Sequence, residues 1–246
     1  MQQGRYEFAG HWVEINSIYP RVHQMCSDYQ TRKEPEFCIR ISPEDIRMEC
    51  NRPKAECRKE GFAFRDFSDE YLETLAVYRK LSEWLIDQDT MLFHGSAISV
   101  DGQGYLFTAR SGVGKSTHTS LWSAVFGERA VMINDDKPLL HIGKQGVTVY
   151  GTPWDGKHHR SSNRSVPLQG ICILTRDTQN HIRTINKTQA YPMLLAQTYR
   201  SMNPAKMAKT LALIDLLATT TKLYELGCNM EPEAARVAYE GMRFMG

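Results

Sequence analysis

Two glycines, a lysine and a serine fall close together in Ser111-Gly112-Val113-Gly114-Lys115-Ser116-Thr117, and that grouping has a specific use. Glycine at 112 and 114 lets backbone N–H groups close around phosphate oxygens. Lys115 supplies a point charge for the β and γ phosphates of a nucleotide. Ser116 offers a hydroxyl to Mg²⁺. A strand-type run, Gly104 to Thr108, precedes the loop, and a helix-type run, Thr117 to Trp122, follows it. Strand, glycine loop and helix in that order are the setting of a phosphate-binding P-loop, with the positive end of the helix turned toward the anion. Ser111, Gly112, Val113, Gly114, Lys115, Ser116 and Thr117 are therefore the candidate nucleotide-binding residues. The strict pattern G-x-x-x-x-G-K-[ST] is missed at its first position, where Ala109 stands. Alanine does not share glycine's freedom at positive φ.

Three further groups fit the same chemistry. Asp135 and Asp136 end a short apolar run, Ala130 to Ile133, downstream of the loop, where such an enzyme places acidic metal-binding groups. In an extended chain neighbouring side chains point opposite ways. One carboxylate can then hold Mg²⁺ while the other takes the proton of an attacking hydroxyl; the sequence leaves open which does which. His94 lies fifteen residues before Ala109, and a hairpin would return it to the loop, near metal or a transferring phosphoryl group. The segment Gly151 to Arg160 is the candidate acceptor-binding loop. There Asp155-Gly156 gives a tight turn that aims Lys157 inward, Lys157 and Arg160 offset charge on the transferred group, and Trp154 packs against base or acceptor. His158-His159 is a weak metal pair, since neighbouring side chains diverge.

The elements that must hold these groups divide the chain. Residues 1–88 read as an α+β region, and 89–246 as the catalytic part. In the first, Tyr6 to Ile15 alternates as one strand, Phe37 to Ile41 is another, and Ser42-Pro43 opens a helix. Asn51 to Gly61 is charged and reads as a surface loop. Ser68 caps a long helix whose apolar residues run from Tyr71 to Ile86. In the second, Met91 to Val100 is β-rich, Asp101-Gly102 is a hairpin turn, and Leu139–Ile142 and Val147–Tyr150 form a pair. Leu168–Leu174 is a strongly apolar strand, and Tyr224–Gly227 a short closing one. Helices are predicted over Thr188–Arg200, Pro204–Thr219 and Pro232–Met242, the first after an Asn186 N-cap.

Bulk properties narrow the partners. Apolar residues at 41% and charged residues at 24% are ordinary globular values. A net charge of +2 gives no electrostatic footprint for nucleic acid. The six cysteines (Cys26, Cys38, Cys50, Cys57, Cys172, Cys228) contain no C-x-x-C pair and read as reduced thiols; Cys50 and Cys57 would need help from elsewhere to hold metal. No secretory signal is read, and no apolar run approaches the roughly 18 residues of a membrane span. The expectation is a cytoplasmic protein.

Taken in order and spacing, His94-Gly95-Ser96-Ala97, Gly104-Tyr105-Leu106-Phe107, Ser111 to Thr117 and Asn134-Asp135-Asp136 resemble the HPr kinase/phosphorylase family. Phosphoenolpyruvate carboxykinase shares that nucleotide core and a His-x-Ser-Ala segment. The resemblance covers roughly residues 90–175. It implies an α/β fold with a mixed-sheet P-loop nucleotide core, flanked by an N-terminal α+β part and C-terminal helices. It also implies ATP and Mg²⁺ as cofactors and transfer of the γ-phosphoryl group to a hydroxyl, most plausibly a serine of a protein or peptide. Lys115 and Ser116 then hold phosphate and metal, Asp135 and Asp136 form the acidic pair, and His94 stands beside them. The family begins its loop with glycine rather than alanine, and residues 1–88 do not match its N-terminal domain. A small-molecule kinase of the same fold and a non-catalytic ATP-binding module are the competing readings, and a homo-oligomer is compatible with each.

Overall fold

The computed structural model describes residues 1–60 and 67–243, and for 52–60 the backbone alone. It divides into two compact units, Met1–Trp84 and Leu85–Gly246.

The first unit starts with strands β1 (Gln2–Phe8) and β2 (His11–Ser17), paired antiparallel from Gln2↔Ser17 to Phe8↔His11. The expected single strand over Tyr6–Ile15 is thus a hairpin. Ala9 and Gly10 both take positive φ (52° and 82°), the conformation of a tight two-residue turn. Gly10 was the available cue; Ala9, an unusual residue there, hid it. A short helix α1 (Arg21–Met25) follows, and β3 (Phe37–Arg40) then lies parallel to β2. Helix α2 runs Pro43–Glu60, so the expected charged loop after Asn51 is helical through Glu60. Charge alone does not end a helix, and the helix continues through Pro53, which gives up one backbone donor. Gly61 and the Cys57 side chain of the suggested cysteine pair lie outside the described residues. Helix α3 (Asp69–Leu85) begins with the Ser68 hydroxyl accepting from the Tyr71 N–H at 3.4 Å. Asp45 of α2 joins α3 through Arg79 (3.3 Å) and Lys80 (2.8 Å).

The second unit is a mixed α/β layer structure. Its strands are β4 (Thr90–Leu92), β5 (Ser96–Val100), β6 (Gln103–Thr108), β7 (Ala130–Asn134), β8 (Leu139–Gly143), β9 (Gly146–Tyr150), β10 (Ser165–Arg176), β11 (His181–Thr184) and β12 (Lys222–Cys228). They form one nine-stranded sheet in the order β4-β8-β9-β10-β6-β5-β7, with β12 on β10 and β11 on β12. Met91–Val100 is therefore two strands in different places. β4 pairs with β8, whereas β5 pairs with β6 and β7. Residues 222–228 do not close an edge; β12 lies parallel to β10 and antiparallel to β11.

Period-2 alternation sorts the strand residues onto two faces. Leu106, Ile171, Ile173 and Leu223 enter a core with Leu194 of α5 (Lys187–Gln197) and Leu213, Ile214 and Leu217 of α6 (Pro204–Thr220). Tyr105, Phe107, Cys172 and Leu226 face a second core with Trp122 of α4 (Lys115–Phe126) and Ala235, Ala238 and Met242 of α7 (Glu233–Met242). Sequence predicted three of these helices to within a few residues because their starts are chemically marked. Asn186 and Gln189 form a capping box, and Asn203 accepts from Ala205 and Lys206 N–H groups with Pro204 in the first turn. Strands β6, β10 and β12 are mutually parallel through β10, so their carboxyl ends, Thr108, Arg176 and Cys228, come out on one side. In open α/β sheets that is where ligands bind.

Candidate active site

The loop leaving β6 turns at Gly112 (φ 78°) and Gly114 (φ 120°), and α4 starts at Lys115. Both values lie in the region that favours glycine. Ala109 is fully buried and is not among the residues with positive φ, so alanine at this first loop position carries no strain. Gly114 caps α4 without a side-chain hydrogen bond. The first-turn N–H groups of any helix lack intrahelical partners, and here they face the loop. Arg176, at the end of β10, donates to the Gly112 carbonyl at 2.5 Å and to the Val113 carbonyl at 3.5 Å, tying the loop to the sheet.

Asp135 and Asp136 lie in a bend after β7 and not in the extended chain the sequence suggested, and their two carboxylates part company all the same. Asp135 is buried and accepts from Ser96 Oγ of β5 and, at 3.5 Å, from Thr119 Oγ1 of α4. Asp136 turns toward His94, whose Nε2 lies 3.3 Å from its carboxylate, and toward the adjacent Lys137 ammonium. The Asp136 side chain is 23% exposed and that of His94 40%, so this edge is open to a ligand. Burial pushes the Asp136 carboxyl up. The hydrogen bond from His94 and the charge of Lys137 outweigh it and bring the group down to about 2. Lys115 is half-buried; burial lowers its pKa while Asp136 and Asp135 oppose that shift. The Ser116 hydroxyl has no partner among the described residues, although its carbonyl accepts from Ser120 Oγ at 2.7 Å.

Lys115, Ser116, Asp135, Asp136 and His94 are thus brought together from one loop, one strand end and one turn. Lys157 lies on an exposed 3-10 turn, Gly156–His158, with no ion pair among the described residues, and Gly156 beside it packs against the Asp136 side chain. Trp154 is 4% exposed, so it is a packing residue and not a face for base or acceptor. The segment splits in two: Gly151 to Asp155 is buried and Gly156 to Arg160 is exposed. Arg160 donates to Ser120 Oγ of α4 at 2.7 Å, and its carbonyl accepts the Asp135 N–H. His159 lies 3.3 Å from Asp155.

Sequence reasoning passed over the residue that organises this corner. Asn134 is fully buried at the end of β7. Its carbonyl oxygen accepts the N–H groups of Asp136 (2.8 Å) and Lys137 (2.6 Å). Its amide donates to the Thr152 carbonyl (2.8 Å) and hydroxyl (3.0 Å). One carboxamide therefore fixes both the acidic turn and the start of the following loop. The available signal was an asparagine directly before two aspartates. Ser96 and Thr119, the hydroxyls that hold Asp135, gave no local signal of that kind.

The donor set suits a hard cation: one unpartnered hydroxyl and two carboxylates, all oxygen. Among the described residues no three His, Cys, Asp or Glu side chains gather as a ready-made metal cluster. None of the described helices is long and apolar enough to cross a membrane.

A family model, SynChlorMet cassette protein ScmC, matches residues 66–230, more than half of the chain. The chain belongs to the ScmC family. No curated protein matches it. A similar solved structure is the Hpr(Ser) kinase/phosphatase from Coxiella burnetii, 13% identical over 49% of this chain and 87% of that chain, with a TM-score of 0.29. A likeness that loose carries no weight for the site, whose chemistry rests on its own geometry.

Proposed function

We propose that this ScmC-family chain is an ATP-dependent phosphotransferase of the HPr-kinase type, moving the γ-phosphoryl group to the hydroxyl of a peptide or protein serine. The observation that carries this reading is the convergence of Lys115, Asp135 and Asp136 at the mouth of a glycine loop, with His94 against Asp136. An ordinary strand-to-helix turn has no need of a half-buried lysine facing two carboxylates.

Each group has a distinct task in this reading. The N–H groups of the loop and of the first turn of α4 cradle the phosphates, and Lys115 sets its charge against them. Ser116 and Asp135 would hold Mg²⁺, which offsets phosphate charge when bound. Asp136 is the more exposed carboxylate and stays ionised at neutral pH, so it accepts the acceptor hydroxyl's proton as the new O–P bond forms and the bond to the leaving diphosphate breaks. His94 fixes the direction of that carboxylate. Asp135 is held in place behind the loop by Ser96 and Thr119. Positioning and charge neutralisation supply most of the catalysis, as is usual for phosphoryl transfer.

The test is incubation with Mg²⁺ and γ-labelled ATP, with Lys115→Ala as the control. Serine-containing peptides and small hydroxylated metabolites are offered as separate pools. Label should enter the peptide pool and vanish with the variant. Label confined to the metabolites would replace the acceptor class, and ATP binding without transfer to either pool would replace the enzyme with a regulatory nucleotide-binding module.

A further inference from the structure

Two cavities flank the glycine loop, one on each side of the Arg176 tether. The larger, about 830 Å³, is rimmed by charged and polar side chains including Arg110, Gln189 and Glu225. The smaller, about 450 Å³, runs from Gly112 and Gly114 along α4 to the ends of β10 and β12. Its walls include Val113, Leu121 and Leu174, and it opens at Met230, which is 77% exposed. His118 lines it and is itself only 3% exposed.

The protonation of His118 follows from its neighbour. The Trp122 indole nitrogen lies 3.0 Å from His118 Nε2. An indole N–H only donates, so Nε2 is an acceptor and carries no proton. The ring is therefore neutral with its hydrogen on Nδ1. That nitrogen is buried and has no hydrogen-bond partner. Buried donors in folded proteins are almost always satisfied, and an orphan calls for an explanation. Here the orphan belongs to a ring that lines a mixed apolar and polar cavity continuous with the glycine loop.

We infer that this cavity receives the heteroaromatic base of the nucleotide, with the His118 Nδ1–H donating to a ring nitrogen or carbonyl oxygen on the base edge. Val113, Leu121 and Leu174 offer apolar contact to a flat ring, and polar groups placed among them, His118 with Thr117, Arg176, Asp177 and Asn229, are how such ligands are oriented. The carboxyl ends of the parallel strands β10 and β12 supply the far wall, on the ligand-binding side of the sheet. The inference deepens the proposed function and rests on the loop's being a phosphate site.

Calorimetry with two probes separates the two ideas. Inorganic tripolyphosphate with Mg²⁺ reads the loop alone; ATP with Mg²⁺ reads loop and cavity. The full-length chain should bind ATP at least about tenfold more tightly than tripolyphosphate. His118→Phe keeps a flat ring and deletes the donor, and should weaken ATP about five- to tenfold while leaving tripolyphosphate unchanged. Because that variant also strips Trp122 of its acceptor, Leu121→Trp, which fills the cavity from the partly buried face of α4, serves as an independent check with the same expected pattern. Equal affinity for the two probes, or variants that weaken both alike, would overturn the base cavity and leave the phosphate loop standing. Binding of neither probe would remove the phosphate loop and the base cavity together.

Discussion

Replacing Asn134 with alanine tests how the acidic corner is built. The carboxamide is fully buried and makes two short bonds to backbone donors, Asp136 N at 2.8 Å and Lys137 N at 2.6 Å, and two to Thr152. A buried donor left without an acceptor costs ~1–3 kcal/mol. Asp136 and Lys137 are only partly buried, and water entering the vacated space recovers some of the loss. The net destabilisation should be about 3 kcal/mol, read from urea unfolding of the full chain. The same substitution frees Asp136 from its position against His94, so phosphoryl transfer should slow by roughly 100-fold while ATP affinity changes little. Asn134→Asp separates the two halves of the network. It keeps an acceptor for the two N–H groups but loses the donors to Thr152, and should cost less than alanine at the acidic turn. Hydrogen exchange at the Asp136 and Lys137 amides is the direct local readout. An alanine variant within about 0.5 kcal/mol of the parent, with unchanged protection at those amides, would refute the idea that this side chain holds the turn.

Three more outcomes follow from named contacts. Gly151→Ala would place a Cβ 1.9 Å from the Ser162 carbonyl oxygen and 2.6 Å from that of Ile133, both backbone atoms; a loss of about 4 kcal/mol and a Tm lower by roughly 10 °C are expected in a thermal melt. Asp136→Asn should reduce kcat by about 10²–10⁴ with ATP affinity within about threefold, measured by transfer assay and calorimetry; equal losses in both would make Asp136 a binding group only. Asp45 gives a pH effect. Burial raises its pKa, but the Lys80 and Ser42 hydrogen bonds outweigh this and bring it down to about 2 from 3.8. A depressed carboxylate contributes stability above its unfolded pKa and loses it as pH falls through the folded value. The parent should therefore exceed Asp45→Asn by about 2 kcal/mol at pH 5 in urea melts, with the gap closing toward pH 2. A gap independent of pH would contradict it.

What could be read from the sequence was mostly local chemistry. The loop with Lys115 is one contiguous run and the acidic pair another, and their residue types suggest a phosphate-handling site. Helices α5 and α6 announce themselves through Asn186 and Asn203 caps. Strand β10 starts three residues before the apolar run Leu168–Leu174, because Ser165 to Pro167 pair with β9 and Pro167 disguises the strand start. Helix α2 extends past the point expected because the charges after Asn51, which suggest a loop, sit equally well on a solvated helix. The roles of Ser96, Thr119 and Asn134 depend on β5, α4 and the Thr152 loop arriving at one point, and no spacing rule encodes that. His94 required the same closure, and family resemblance, not periodicity, raised it above a structural histidine.

The Arg176 tether has a consequence for how the protein is made. Arg176 ends β10, whose Ile171 pairs at once with Leu106, far behind it, and with Leu223, far ahead. A growing chain therefore carries the complete Gly112–Thr117 sequence long before the strand that braces it has a neighbour on its other edge. Pairing between such distant segments is slow, because the intervening chain must be ordered first. The braced loop surface is then completed only after β12 has joined β10. A nascent chain stopped before Lys222 would possess every residue of the loop and lack the braced surface, and a nucleotide bound there as proposed would stabilise the closed sheet by mass action.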